Sequence, residues 1–316
     1  MSLALLFSPQ GAQVVGMGKD LAEGSSGARA VFDTADDVLG WSVCSLAWEG
    51  PEERLNETQW TQPALLTTSV AAHAALEASI DPSPAFVAGH SVGEYAALVA
   101  AGVLSFPDAL RLVARRGELM ARASVEGGMA AVIGLDRSVV DEVIASVASP
   151  ADLVVANDNA PGQVVISGTR ASLIDAEPAL RQAGAGRVIG LPVSGPFHSP
   201  WMADVSDQLE RAMDDVAWQD ADPPVVSNVT AEPVTDASMI RGLLAEQVRS
   251  PVEWVASVRR MLAEGVDTFV ECGPGSALTG MVKRIAPESR TLNVSDMTTL
   301  DATASAVRGL PLGTPV

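Results

Sequence analysis

Apolar and polar positions along this 316-residue chain fall into runs that predict alternating strands and helices. LALLF near the N-terminus reads as a first strand, followed by helices through 13–47 and 64–78. PAFVA at 84–88 reads as a short buried strand running into a glycine, and EYAALVAAGVL then places apolar residues at helical spacing. The helical pattern continues through SFPDALRLVARRGELMARAS and changes character at Glu126-Gly127-Gly128. From there the order is strand (129–135), helix (138–147), strand (153–159), a tight Pro-Gly turn, strand (163–169), helix (171–184) and strand (187–193). This strand-helix-strand-strand-helix-strand order is that of a ferredoxin-like unit, assigned to residues 127–192. Beyond it lie a helix at 200–215, a strand in PVVSNVT, helices at 237–247 and 251–264, and a strand in DTFVECG. Such alternation in the flanks calls for a parallel sheet with helices on both faces. The prediction is an α/β protein whose main domain is discontinuous, 1–126 and 193–316, with the ferredoxin-like α+β subdomain inserted at 127–192. AVRGLPLGTPV at the C-terminus is rich in Gly and Pro and reads as a loose tail.

The sharpest local signal is GHSVG, residues 89–93. A Gly-x-Ser-x-Gly sequence between a strand and a helix is a nucleophile elbow, whose glycines permit a turn tight enough to stand the serine hydroxyl at the head of the helix. The bland alternative is a buried turn serine, Ser91, that caps the following helix. Serine needs a base within hydrogen-bond reach, and the chain has three histidines. His73 lies mid-helix among small residues and reads as structural; His90 adjoins the serine, so it points away from the hydroxyl and shapes the turn. His198, in the loop LPVSGPFHSPWM between the last strand of the insert and a new helix, is the favoured base. Arg115 and Arg116 flank an apolar face made by Leu112, Val113 and Leu119. An arginine so placed is a snorkelling or salt-bridged residue, or a planar fork for a carboxylate, and the pattern leaves both open.

Composition narrows the function classes. Hydrophobic residues make up 47% of the chain, suiting a globular core, and no stretch reaches the 18 or so uninterrupted apolar residues of a membrane span. The apolar N-terminus has no basic region before it, so it reads as a strand and not a signal peptide. Cys44 and Cys272, far apart, supply neither a disulfide framework nor a metal cluster, which favours a reducing cytoplasm and, with so few histidines, no metal site. A net charge of −19 argues against nucleic acid. Lys19 and Lys283 are the only lysines.

GHSVGEY (89–95), RRGELM (115–120), NAPGQVVISG (159–168), VSGPFHS (193–199) and VECGPGSALTGMVKR (270–284) together resemble malonyl-CoA:acyl carrier protein transacylases, and FSPQGAQ (7–13) and LNETQWTQPALL (55–66) fit the same family. The resemblance implies an α/β-hydrolase-like core with a ferredoxin-like insert. It also implies roles: Ser91 as nucleophile, His198 as base, Arg116 as a bidentate grip on the malonyl carboxylate, and the N–H groups of Val92 and Gln10 as oxyanion hole. Gln247 matches the position whose main-chain carbonyl holds the histidine ring, and Gln62, Met120 and Asn159 match pocket-lining or supporting positions. Phe197 and Val92 resemble malonyl-type members, in which a bulky neighbour excludes an α-methyl group. The implied partners are malonyl-CoA and the phosphopantetheine thiol of an acyl carrier protein. The coenzyme A thioester is a substrate, no cofactor is permanently bound, and a cytoplasmic monomer is expected. Two departures stand out: Pro9 replaces a glycine of the usual Phe-Pro-Gly-Gln-Gly, and Gln59-Trp60 reverses the commoner order. Because carrier proteins are acidic and so is this chain, docking calls for a local basic patch drawn from Arg111, Arg115, Arg259, Arg260, Lys283 and Arg284. Competing readings are a polyketide acyltransferase with another extender unit, a carrier-protein thioester hydrolase, an idle carrier-docking scaffold and a general esterase.

Overall fold

Alternate side chains of the first strand, β1 (Ser2–Phe7), enter different cores: Leu5 and Phe7 join one apolar cluster, Ala4 and Leu6 another. A strand buried on both faces in this way belongs at the centre of a sheet covered by helices on each side. The computed structural model describes residues 2–123 and 126–309. After β1 come helices α1 (Lys19–Gly24), α2 (Ser26–Leu39), α3 (Val43–Glu49), α4 (Glu52–Leu55) and α5 (Thr58–Ser79). Strand β2 (Phe86–Gly89) leads into α6 (Gly93–Ala100) and α7 (Phe106–Arg122). Next are β3 (Gly127–Ile133), α8 (Arg137–Val147), β4 (Leu153–Ala160), β5 (Gln163–Thr169), α9 (Arg170–Gln182) and β6 (Arg187–Gly190). The chain returns through α10 (Ala203–Ala212), β7 (Val225–Val226), β8 (Pro233–Val234), α11 (Ala237–Gln247) and α12 (Trp254–Ala263). It closes with β9 (Val266–Cys272), α13 (Ala277–Ile285), β10 (Arg290–Val294) and α14 (Met297–Arg308).

Two sheets result. The larger has the order β10-β9-β1-β2-β7-β8, parallel throughout except for the antiparallel edge strand β8. Phe32, Leu65, Leu66, Leu110 and Val113 cover one face of it, and Trp254, Val258, Met261, Leu278 and Val282 the other. The smaller sheet is antiparallel, in the order β4-β5-β3-β6, and Val140, Ile144, Ala176 and Leu180 of α8 and α9 bury its apolar face. The fold class is therefore α/β with a parallel sheet, as predicted. The sheets are joined where β4 borrows the segment before α12: Val252 N–H donates to Ala156 O at 2.8 Å, and Asp158 N–H donates to Val252 O at 3.0 Å.

Several elements differ from the sequence reading. The helix predicted at 64–78 begins at Thr58, with Pro63 inside its second turn, a position that reads as a boundary because proline lacks the N–H of a helix interior. Only Val225–Val226 of PVVSNVT pair as a strand; Ser227 and Asn228 leave the sheet toward the elbow. The strand predicted at 187–193 stops at Gly190, and Leu191 and Val193 instead wall the cleft described below. The helix predicted at 200–215 starts as a 3₁₀ turn (Pro200–Met202) and ends at Ala212. Residues Ala306–Arg308 of the supposed tail complete α14, while 310–316 lie outside the described residues.

Candidate active site

In the parallel sheet Phe7 of β1 and Gly89 of β2 are register partners, so the loops that follow them open at the same sheet edge. Between β2 and α6 the chain turns within three residues. A Cβ on Gly89 would lie 1.9 Å from the carbonyl carbon of Gly93, and one on Gly93 would lie 2.2 Å from Phe7 O. Both positions therefore require glycine for contact reasons alone. Ser91 itself takes φ 53°, a left-handed conformation that costs an L-residue about 1–2 kcal/mol. Asn228 holds this turn from the end of β7: its Oδ1 accepts from Ser91 N–H at 2.7 Å, and its Nδ2 donates to Gly89 O at 2.6 Å.

The three expected side chains meet. His198 Nε2 lies 2.8 Å from Ser91 Oγ, and Arg116 Nη2 lies 3.1 Å from the same oxygen. His198 also has a left-handed φ, 57°, and its backbone N–H is tied to Val248 O at 2.9 Å. Its Nδ1 faces two carbonyls, Gln247 O at 2.9 Å and Ser250 O at 3.2 Å. Carbonyls only accept, so Nδ1 carries the proton and Nε2 is left as the acceptor for the serine hydroxyl. Among the described residues no carboxylate completes a triad. Burial, and then the neighbouring Arg116, push the imidazole down to about 3.

Arg116 is 0% exposed, although α7 as a whole is amphipathic. Its fork is satisfied by neutral groups: Nη1 donates to Gln62 Oε1 at 2.8 Å and Nη2 to Gln247 Oε1 at 3.1 Å. Among the described residues its Nε has no acceptor. Burial lowers its pKa, opposed by Tyr95 and Glu94. Gly117, next in the chain, allows this approach, since a Cβ there would stand 3.0 Å from Gln59 Cα and 3.1 Å from Thr58 O where α7 crosses α5. Of the alternatives left by the pattern, a surface salt bridge describes Arg115, paired with Glu118; Arg116 is the buried one.

A cleft of about 100 Å³ opens onto Ser91 and is walled by Pro9, Gln10, Met120, Leu191, Phe197 and His198, among others. Neither Gln10 N–H nor Val92 N–H has an acceptor among the described residues. The Gln10 side chain is braced by Thr58 and Gln62, each at 3.4 Å, and Gln62 also reaches Met120 Sδ at 3.4 Å. Pro9 carries the first turn after β1, accepting at its carbonyl from Ala12 N–H at 3.3 Å. Asn159 acts one layer back: its Oδ1 meets His90 Nε2 at 2.8 Å, coupling β4 to the elbow, while Asn157 of the same strand lines the cleft. His90 thus faces away from the hydroxyl. His73 is buried edge-on to Phe7, in keeping with a structural role. Val92 corrects one expectation: its side chain packs in the core and does not line the cleft, whereas Phe197 does line it.

Two residues went unread in the sequence. Besides Asn228, Glu94 of α6 is buried beside the site, accepting from Gln247 Nε2 at 2.8 Å and Asn228 N–H at 3.1 Å. Burial pushes its carboxyl up to about 7, against those two hydrogen bonds and the attraction of Arg116. Among the described residues no group of three or more His, Cys, Asp or Glu could hold a metal ion, and no helix is long and apolar enough to cross a membrane.

Comparison with known proteins adds the family. The family model for the acyl transferase domain matches residues 4–305. The malonyl CoA-acyl carrier protein transacylase of Bacillus subtilis is 45% identical over 302 residues, 95% of either chain. That of Staphylococcus aureus is 41% identical over 301 residues, 94% of this chain and 96% of its own. An acyl-carrier-protein S-malonyltransferase from Burkholderia pseudomallei superposes with a TM-score of 0.94 at 39% identity, covering 96% of this chain and all of its own (100%). A malonyl-transacylase solved in complex with its type II PKS acyl-carrier protein superposes with a TM-score of 0.93 at 39% identity, over 97% of this chain and 100% of its own. Sequence identity at this level, sustained nearly end to end on a shared fold, makes the chain a member of the malonyl-CoA:acyl carrier protein transacylase family.

Proposed function

We propose that the protein transfers a malonyl group from malonyl-CoA to the phosphopantetheine thiol of an acyl carrier protein, through a malonyl ester on Ser91. The observation that carries this reading is the convergence of His198 Nε2 and Arg116 Nη2 on one hydroxyl, at 2.8 and 3.1 Å. Ser91 Oγ attacks the thioester carbon as its proton passes to His198 Nε2, and the tetrahedral oxyanion faces the N–H groups of Val92 and Gln10, worth about 3 kcal/mol each. Collapse breaks the C–S bond, and the coenzyme A sulfur leaves with the proton from His198. The carrier thiol then gives its proton to the same nitrogen and attacks the ester; Ser91 leaves and is reprotonated. Carbonyls of Gln247 and Ser250 stabilise the imidazolium in both half-reactions.

Arg116 ties substrate choice to base strength. With the cleft empty its charge lies beside His198 and depresses the imidazole. A malonyl carboxylate that takes over the fork in place of Ser91 Oγ neutralises that charge, and the base strengthens when the correct acyl group arrives. An acetyl group offers no such relief. The same arginine speaks against a thioester hydrolase or a general esterase, which have no use for a buried cation at the acyl end. The site needs no permanently bound cofactor. Cys44 and Cys272 are free, buried thiols, which supports a reducing cytoplasm. The discontinuous catalytic domain (1–126 and 193–316) and the inserted subdomain (127–192) belong to the same proposal, with the small sheet supplying Asn157, Asn159 and one wall of the cleft.

Carrier docking narrows to fewer cations than composition allows. Arg111, Arg115 and Arg260 are paired with Asp108, Glu118 and Glu232 or Glu264, and Arg284 is tied to Gln163 and Pro161 O. Arg259 and Lys283 are exposed and have no ion-pair partner among the described residues, so the acidic carrier is assigned to them. Initial rates with malonyl-CoA and holo carrier protein varied together test the mechanism. Parallel double-reciprocal lines are expected of a covalent intermediate; intersecting lines would refute it.

A further inference from the structure

Glu94 lies in the first turn of α6, three residues past the nucleophile, and none of the steps above uses it. A single carboxylate oxygen, Oε2, receives both of its hydrogen bonds, from Asn228 N–H and Gln247 Nε2. Those two donors come from the segments that set the rest of the site. Asn228 clamps the elbow at Gly89 O and Ser91 N–H, on both sides of His90. Gln247 turns its main-chain carbonyl to His198 and its side-chain Oε1 to Arg116. The orientation of that side-chain amide follows from its surroundings. Nε2 donates to Ser91 O at 3.0 Å and to Glu94 Oε2 at 2.8 Å, so a flip would set an oxygen against two oxygens and an NH₂ against a guanidinium.

We propose that Glu94 is a positioning residue for acyl-group selectivity: by holding Gln247 and Asn228 on one oxygen, it fixes the amide that aims the Arg116 fork at the acyl end of the cleft. The proposal rests on the reading of Arg116 as the carboxylate grip. Reach matters here and charge does not, because a neutral acid retains a carbonyl oxygen for both donors. Burial raises this carboxyl far enough for the neutral acid to be well populated near neutral pH.

Two conservative variants separate reach from charge. Glu94→Gln keeps an oxygen at the same distance and drops the charge, whereas Glu94→Asp keeps the charge and withdraws the oxygen by one C–C bond, about 1.5 Å. Single-turnover acylation by malonyl-CoA and by acetyl-CoA is measured for both, beside the parent and Arg116→Ala, with thermal melting to establish that each is folded. The expected result is a malonyl-to-acetyl ratio in Glu94→Asp lowered about tenfold, the equivalent of one lost buried hydrogen bond, and a ratio in Glu94→Gln within about threefold of the parent. A merely structural carboxylate would slow both acyl groups alike and leave the ratio where it was. Parent-like selectivity in Glu94→Asp beside a lost selectivity in Arg116→Ala overturns this inference alone, as does a Glu94→Gln that falls as far as Glu94→Asp. An Arg116→Ala that keeps the ratio removes the underlying reading and this inference with it.

Discussion

Replacing Arg116 by alanine removes a guanidinium that is 0% exposed and whose hydrogen-bond acceptors are all neutral. Its charge is therefore available to a substrate carboxylate in a low-dielectric site, where truncating one partner of a buried charged pair costs about 2–5 kcal/mol. At about 1.4 kcal/mol per tenfold, the middle of that range lowers kcat/KM for malonyl-CoA by roughly 10²- to 10³-fold. Acetyl-CoA brings no carboxylate and loses none of this. The same substitution lifts one of the two main influences that hold His198 down, so the base strengthens and acetyl transfer persists or rises. Arg116→Lys separates charge from shape: a point charge cannot make the two parallel bonds of a planar fork, and its recovery should be partial. Rapid-quench measurement of acyl-enzyme formed from labelled malonyl-CoA and acetyl-CoA reads both rates directly. Equal losses for the two acyl groups would show that Arg116 supports the fold around Ser91 and does not read the acyl chain.

Other outcomes follow from the same geometry. With His198 held near 3 in the free enzyme, kcat/KM for acylation should show no inflection at the ordinary imidazole value of 6.5 between pH 5 and 8; a clear acid limb centred there contradicts the burial argument. For stability the sign is set by the unfolded chain, which binds the His198 proton first, so this residue destabilises the fold as pH falls from 6.5 toward 3, by up to about 1.4 kcal/mol per pH unit. Glu94, raised from 4.5 to about 7, works in the opposite sense, its contribution being full below 4.5 and lost as pH rises through 7. Denaturant titrations of His198→Asn at pH 6.5 and 5 should accordingly show a gain relative to the parent on acidification. Phe197→Ala should improve methylmalonyl-CoA relative to malonyl-CoA by about 10- to 100-fold, the worth of one methyl group in a packed pocket, and an unchanged ratio would place the specificity wall elsewhere. Charge reversal at Lys283 and Arg259 together should raise KM for the carrier protein several-fold while leaving KM for malonyl-CoA alone, and the effect should fade with added salt.

The elbow was legible because its signature is local: the close contacts of Gly93 with Phe7 O and of Gly89 with Gly93 are met by two glycines within five consecutive residues. The two sheets were legible for a similar reason, since strand and helix periods change character at Glu126-Gly127-Gly128. Arg116 was not legible from pattern. Its burial depends on Gln62 and Gln247, 54 and 131 residues away, and only the family resemblance picked it out. Glu94 offered a signal that went unused, a lone acid in a helix turn otherwise made of Gly, Tyr and Ala. It resembles the acid that commonly favours a helix N-terminus, and that ordinary explanation hid the tertiary one. Asn228 was absorbed into a predicted strand, although an Asn in a β-branched run is itself a reason to expect the chain to leave the sheet. The elements after DTFVECG, α13, β10 and α14, went unread, and the last three residues of α14 were grouped with the Gly/Pro-rich residues beyond it.

The mechanism depends most on a malonyl group residing on one hydroxyl between the two half-reactions. Peptide mass spectrometry after a brief exposure to malonyl-CoA, without carrier protein, examines this directly. The peptide bearing Ser91 should gain the mass of one malonyl group, lose it on adding holo carrier protein, and remain unmodified in Ser91→Ala. An adduct on another residue, or transfer to the carrier with no adduct in between, would contradict it.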